Sequence, residues 1–473
     1  MNAPREEFGS RLGFILAAAG SAVGIGNMVG FPVAATKNGG AAFLLIYAIF
    51  VFLICLPVML AEMAVGRKTR KDPLGAYSEL TSNQPGWRLA GWLSIITPFM
   101  IAVFYMVITV WIFGYLFNTA IGNLDMLANP DYFGGFINET SIFIYMAAVS
   151  AIVYLILLGG VKQGIEKAAK ILMPTLFIML LGLVIFVLTL DNAFAGVEYY
   201  LVPDFSKINA NVVSAAMGQA FFSLSLGMGI MITYGSYLSS RDGIPGSAKL
   251  VALTDTAVAF IAGLMIIPAV FSFNPNTDTA DLSDSSLSMI FSFLPQIFLA
   301  LQTSIGYFAA SLVAGVFFLL VFFAAITSLV SILEVPNAAI MDERNVSRKK
   351  SLIMLGAGMI VFAVISATSF GMLNFTTEFV NYAGAPKSFF DVIYDVFYDT
   401  ILPLNGFLIC IFVIYRWKKA NFNSALEEGE ESYRNSFFQK YVDFSMSTFI
   451  PIILLLIFIN TVAIKFFGYS FIG

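Results

Sequence analysis

Two short stretches carry glycine, hydroxyl and amide groups into otherwise apolar sequence, and that combination is chemistry for holding a small solute and its counter-ions. The first, GSAVGIGNMVGFPVAATKNGG at 20–40, contains Gly20, Gly24 and Gly26. Each of these costs a helix roughly 1 kcal/mol relative to alanine. Ser21 and Asn27 add side chains that hydrocarbon cannot satisfy, and Pro32 follows them. The second stretch, GQAFFSLSLGMG at 218–229, repeats the mixture. Where a helix is interrupted in this way, freed carbonyls coordinate a cation and half-helix amino termini attract an anion. A Gly20-xxx-Gly24 helix-packing face would account for the glycines, but not for Ser21, Asn27 and Pro32 beside them. The implied site takes a carboxylate-bearing solute and one or more small cations.

Other polar groups lie in apolar runs. TDTAVAFIAG offers Asp255, or Thr254 one residue earlier, and a buried carboxylate there needs a compensating cation or backbone donors. Thr327 and Ser328 sit in FFAAITS, where back-bonding to their own helical turn competes with ligation. Glu62 and Glu334 read as acceptors for freed backbone or as neighbours of cytoplasmic water, with no transport role assigned. Histidine is absent, which removes the usual metal ligand and the easiest proton relay. Cys55 and Cys410 lie inside apolar runs, so no disulfide or metal cluster is expected. No nucleophile–base pair, selectivity-filter repeat or appended signalling domain appears, which argues against an enzyme, a channel and a sensor. No nucleic-acid partner is expected.

The elements that must position these groups are membrane helices. Hydrophobic residues make up 59% of 473 positions, charged residues 11%, and mean hydropathy is +0.86; a soluble domain carries about 25% charge. Apolar runs of about twenty residues predict eleven spans, near 12–36, 41–66, 89–122, 141–159, 165–190, 210–238, 247–273, 303–340, 350–372, 388–415 and 441–467. With the amino terminus in the cytoplasm, all of the 25 Lys and Arg residues except Lys37, Lys207, Lys387 and Lys465 fall on the inner side, which fixes the orientation. The carboxyl terminus is then outside. The loops at 122–141 and 274–286 read as acidic, solvated outer surface, and 419–437 as a short cytoplasmic helix. Breaks in spans 1 and 6, five helices apart, are the placement expected of two five-helix repeats of opposite topology. This divides the chain into 1–191, 192–416, and a last segment 417–473 with the cytoplasmic loop and span 11.

RLGFILAAAGSAVGIGN with FP and NGG, GIEKAAKILMPTLF, GQAFFSLSLGMG with ITYGSY, and FFAAITS together resemble the neurotransmitter:sodium symporter family, bacterial amino-acid members above all. The resemblance covers spans 1–10 and implies an all-α, LeuT-type 5+5 inverted repeat with discontinuous helices 1 and 6. It also implies two sodium sites. One uses the Ala22 carbonyl, Asn27, Ser223 and a span-7 side chain, for which Asp255 stands where relatives often have asparagine. The other uses Gly20, Val23 and Ala324 carbonyls with Thr327 and Ser328 hydroxyls. Oxygen-only ligation suits a hard cation. A fixed charge on Asp255 would replace the chloride that animal relatives need, so chloride-independent transport is expected.

The substrate pocket carried over from the family comprises Ser21, Ala22, Ile25, Gly26, Ile101 and Tyr105, with Phe222, Ser223, Ser225, Met228, Ser328 and Ile332 across from them. Monoamine carriers have an aspartate where this chain has Gly24, so an amino acid fits better than an amine, and the apolar end formed by Ile25, Ile101, Met228 and Ile332 favours a hydrophobic one. Arg5 and Asp342 resemble the cytoplasmic latch, with Phe8 and Tyr237 beside it, and Tyr105 and Phe222 the outer lid. Gly164 and Pro174 match a family element that lets span 5 unwind. The outer-gate arginine is replaced by Gly30, which leaves the matching acid, Asp395, without its usual partner, so outer closure rests on Tyr105, Phe222 and packing, or on a different cation. The expected protein is a sodium-coupled amino-acid carrier of a bacterial-type inner membrane, in contact with lipid, as a monomer or weak homodimer. Proton coupling or exchange on the same scaffold, or a non-transporting amino-acid sensor, is the alternative.

Overall fold

The computed structural model describes residues 5–273 and 286–470. Most of the acidic loop predicted at 274–286 lies outside the described residues. Helices dominate because long apolar runs leave the backbone no other way to satisfy its own polar groups in hydrocarbon. In chain order the principal ones are α1 (Arg11–Ala22), α2 (Gly26–Lys37), α3 (Ala41–Thr69), α4 (Pro73–Leu80), α5 (Pro85–Ala120), α6 (Ser141–Leu158) and α7 (Val161–Val187). They continue with α8 (Ala210–Ser223), α9 (Ile230–Ser236), α10 (Ile244–Phe273), α11 (Tyr307–Arg344), α12 (Arg348–Phe370), α13 (Phe389–Arg416) and α14 (Phe437–Phe467).

Among the described residues nine helices are long and apolar enough to cross a membrane, and the bent pair α1–α2 makes a tenth span. Span 6 of the sequence reading folds instead as two separate helices, α8 and α9, each shorter than a bilayer requires. A short helix, as expected within 419–437, forms over Lys419–Glu427. A two-stranded hairpin, β1 (Val380–Tyr382) and β2 (Ala385–Lys387), sits between α12 and α13 and has no counterpart in the sequence reading.

The interior is built from α5 and α11, with 78% and 83% of their most apolar stretches buried, against 28% for α6 and α14. The two broken elements pack against this interior. α1 and α2 are bent 55° apart, and Val23 leaves α1 in an extended conformation while its N–H still donates to Ala19 O at 2.7 Å. The break between α8 and α9 carries left-handed backbone at Ser225, Gly227 and Gly229. Glycine is obligatory at two of these positions. A Cβ on Gly227 would lie 2.6 Å from Leu402 O, and one on Gly229 would lie 2.6 Å from Ser94 O.

Candidate ion and solute site

The two breaks face one another. Ser225 Oγ donates to Ser21 O at 3.1 Å, joining the α8–α9 break to the end of α1. Glu62 of α3 accepts from the freed Gly227 N–H at 2.8 Å, and Asn405 of α13 donates to Gly227 O at 2.7 Å. Buried polar backbone must find partners, and Glu62 meets that need as its position in an apolar run implied.

At the end of α1 oxygen atoms converge on α11. The Ser328 hydroxyl lies 3.1 Å from Ser21 O, 3.4 Å from Val23 O and 3.5 Å from Gly20 O. It has one proton for three carbonyls. Thr327 Oγ1 donates within its own helix to Phe323 O and Ala324 O, both at 3.1 Å. Gly20, Val23, Ala324, Thr327 and Ser328 are thus brought together, with an excess of oxygen acceptors suited to a hard cation.

A second cluster surrounds Asp255 of α10, which is fully buried. Its Oδ1 accepts from Asn27 Nδ2 at 2.7 Å, and its Oδ2 accepts from the Ser223 hydroxyl at 2.8 Å and the Tyr47 hydroxyl at 3.1 Å. Asn27 Nδ2 also reaches Ser223 Oγ at 3.0 Å, while Asn27 Oδ1 accepts the Gly24 N–H at 3.1 Å. Asp255, not Thr254, occupies the register that points inward. Ala22 is buried at the adjoining end of α1. Among the described residues no lysine or arginine pairs with Asp255, so three neutral donors are its compensation. A cation would complete such an arrangement. Tyr47 was not anticipated. Its phenol demands a partner when buried, but nothing in the sequence pairs it with residue 255.

Beside these clusters a cavity of about 540 Å³ opens, reached by Ile25, Gly26, Tyr105 and Phe222 and extended by Ile108 and Tyr398. Tyr105 OH accepts the Ile25 N–H at 3.2 Å, and Phe222 meets Tyr398 of α13 edge-on at 4.3 Å. Ile101, Met228 and Ile332 are buried and do not line the cavity, nor do Ser21, Ala22, Ser223, Ser225 and Ser328. Gln219, absent from the sequence reading, lines it and donates to Gly26 O at 3.1 Å. Gly24 is required by close approach, because a Cβ there would lie 2.7 Å from both the Tyr105 and Ser328 hydroxyls.

Residues 5–128 and 134–471 match the model of the sodium:neurotransmitter symporter family. The chain belongs to that family. It is 32% identical over 467 residues to the uncharacterized sodium-dependent transporter YhdH of Bacillus subtilis, covering 98% of both chains. It is 27% identical over 339 residues to the sodium- and chloride-dependent taurine transporter of Canis lupus familiaris, covering 62% of this chain and 54% of that one. Among solved structures it is similar to MhsT in complex with L-phenylalanine, with a TM-score of 0.83 and 38% identity over 96% of this chain and 99% of that one. The protein is therefore a multi-pass, sodium-dependent transporter of LeuT-type fold that binds a small-molecule substrate, and it is not an enzyme.

The symporter is closed on the side of its amino terminus. Arg5 reaches both Asp342 carboxylate oxygens at 2.5 and 2.6 Å, donates to Ser236 Oγ at 2.8 Å, and lies 4.7 Å from the Tyr237 ring centre. Phe8 is buried against Tyr234 and Tyr237, and its N–H donates to Tyr237 O at 3.1 Å. Glu6 accepts from Val161 N–H at 2.6 Å, and Glu166 accepts from Gly9 N–H at 2.5 Å. Glu334 is paired with Arg348 at 2.8 Å and accepts from Tyr237 OH at 2.7 Å. Asp72, which caps α4, stands beside Asp342. Burial first, then Asp342 and Glu343, pushes its carboxyl up to about 7. Gly164 lies in a widened π-helical turn at the start of α7, and Pro174 lies inside that helix. A Cβ on Gly164 would strike the Ile156 carbonyl.

Asp395 meets other cations in place of the usual arginine: Lys465 of α14 lies 2.9 Å away, Lys387 of β2 lies 3.6 Å away, and Tyr382 donates to it at 2.8 Å. Lys465 also pairs with Asp399 at 2.7 Å. Asp395 does not line the cavity, whereas Asp391, one helical turn earlier, does. Asp395 lies in a π-helical turn over Tyr394–Ile401.

Proposed function

We propose that the symporter carries a hydrophobic amino acid into the cell with sodium, by alternating access and without chloride. The observation carrying this reading is the buried Asp255 carboxylate, compensated among the described residues by the neutral donors Asn27, Ser223 and Tyr47, beside a broken helix and a cavity. One sodium ion would be held by Ala22, Asn27, Ser223, Asp255 and the substrate carboxylate, a second by Gly20, Val23, Ala324, Thr327 and Ser328. The substrate would lie across Ser21, Ile25, Gly26, Tyr105, Phe222 and Ser225, with Ile101, Met228, Ser328 and Ile332 facing its side chain. The likeness to MhsT with bound L-phenylalanine supports this choice of substrate class, and a charged side chain would be buried unpaired. The fixed charge of Asp255 supports chloride independence.

On this reading the cavity of about 540 Å³ is the outward-facing entrance, and the Arg5–Asp342 and Glu334–Arg348 pairs are the inner gate that opens in the other half-cycle. The amino terminus is cytoplasmic, the membrane is a bacterial-type inner membrane, and 1–191 and 192–416 are the two inverted repeats. Proteoliposomes test the proposal. An inward sodium gradient should drive accumulation of labelled leucine or phenylalanine, unaffected by gluconate in place of chloride. Competition should come from methionine and tryptophan and not from aspartate or lysine. Accumulation driven by a pH jump in potassium, or collapse on chloride removal, would overturn it.

A further inference from the structure

A separate apolar groove of about 290 Å³ runs along the outside of the helix bundle, away from the solute site, between α6 and α12. Met106 of α5 and Leu333 of α11 form its floor. Small residues make the space: Ser150 and Ala151 on one wall, Gly356 on the other. A Cβ on Gly356 would meet nothing within 4 Å. The groove extends from Leu157 to Met146 on α6 and from Leu352 to Ala363 on α12. At 1.5 Å per residue that is about 16 Å, close to half of a hydrocarbon core of about 30 Å. It therefore has the length of one leaflet's acyl chain.

One end of the groove is basic. Arg348 Nη1 donates to Leu157 O at 3.3 Å and so closes that end by tying α12 to α6. The next two residues, Lys349 and Lys350, are exposed and make no ion pair among the described residues, and the same holds for Arg344 at the end of α11. The acids of this corner are engaged or directed elsewhere: Glu334 and Glu6 are both held by Arg348, and Glu343 acts on Asp72. Ser347 leaves the first turn of α12 without a side-chain cap, so its free amides and helix dipole add to the positive field. Apolar length ending under uncompensated lysines matches an anionic lipid, because any bilayer lipid fills the groove but only a negative headgroup satisfies its end.

We propose that this groove binds one acyl chain of an anionic phospholipid, with the phosphate against Lys349 and Lys350. Its assignment to the inner leaflet rests on the orientation proposed above, whereas the headgroup preference does not. The test is native mass spectrometry of the full chain released from mixed phosphatidylglycerol and phosphatidylcholine nanodiscs. The wild type should retain one phosphatidylglycerol at least fivefold over phosphatidylcholine. The pair K349Q/K350Q should lose that preference while still retaining a lipid. Gly356→Phe should lose the lipid of either kind, with melting in detergent unchanged as the control for folding. Equal retention of the two lipids by the wild type would overturn the proposal. So would undiminished retention by Gly356→Phe, displacement of the lipid by inorganic phosphate, or a Gly356-dependent dimer in place of bound lipid.

Discussion

Gly24→Ala tests the geometry of the site most sharply, because the strain it introduces can be worked out. A methyl there would sit 2.7 Å from the Tyr105 and Ser328 hydroxyls. Ordinary contact is about 3.4 Å or more, so each hydroxyl must retreat by about 0.7 Å. Tyr105 OH accepts the Ile25 N–H at 3.2 Å, and a retreat of that size takes it past the roughly 3.5 Å at which a hydrogen bond is lost. Ser328, 3.1 Å from Ser21 O and 3.4 Å from Val23 O, is pushed from its carbonyls as well. One or two hydrogen bonds at about 1 kcal/mol each, with overpacking of about 1–3 kcal/mol, give about 2 kcal/mol or more. The expected outcome is a 10–100-fold loss of phenylalanine affinity at saturating sodium, at about tenfold per 1.4 kcal/mol. Equilibrium binding of labelled phenylalanine to purified protein measures it, with the melting profile as the folding control. Affinity within twofold of wild type in a folded variant would refute the close approach on which the site model depends.

Other outcomes follow from the gates and the charge cluster. Arg5→Ala removes the contacts to Asp342 and Ser236; the pair is partly solvated, so the inward-closed state should lose about 1 kcal/mol, read as a roughly fivefold rise in labelling of a cysteine placed beneath the latch. Asp72 has its carboxyl raised from the ordinary 3.8 to about 7 in the folded protein. The folded state therefore binds more protons between those values, and stability falls as pH rises through that window. Asp72→Asn keeps an N-capping oxygen for Leu74 and should flatten the dependence of melting temperature between pH 5 and 8. Lys465→Met strips the shared partner from Asp395 and Asp399 and should lower the melting temperature by several degrees, whereas Lys387→Met, whose pair is longer, should lower it less. Asp255→Asn should weaken sodium-dependent binding and make uptake respond to chloride, which an anion-flux assay reports.

The breaks were legible because glycine with serine or asparagine inside an apolar run is costly in hydrocarbon unless it lines a protected cavity, and both breaks fall at the expected residues. Asp255 was legible on similar grounds, as a charge that hydrocarbon cannot hold alone. Tyr47, Gln219 and Tyr398 were not, because each belongs to an apolar or ordinary helical pattern and acquires its role only through a partner more than a hundred residues away. The Lys465–Asp395 pair eluded the sequence because it joins α13 to α14, and span 11 matched only as a hydrophobic segment. The π-helical turn in α13 has no sequence mark at all. Side-chain periodicity predicts which face a residue takes only while the helix keeps 3.6 residues per turn.

On the proposed function, sodium and an amino acid share the dry space between the two helix breaks, so that each strengthens the binding of the other. Titrating phenylalanine affinity against sodium, with potassium replacing it at constant ionic strength and pH, measures that coupling directly. Affinity should rise at least tenfold from the potassium limit to saturating sodium. Equal affinity in the two salts would contradict the account.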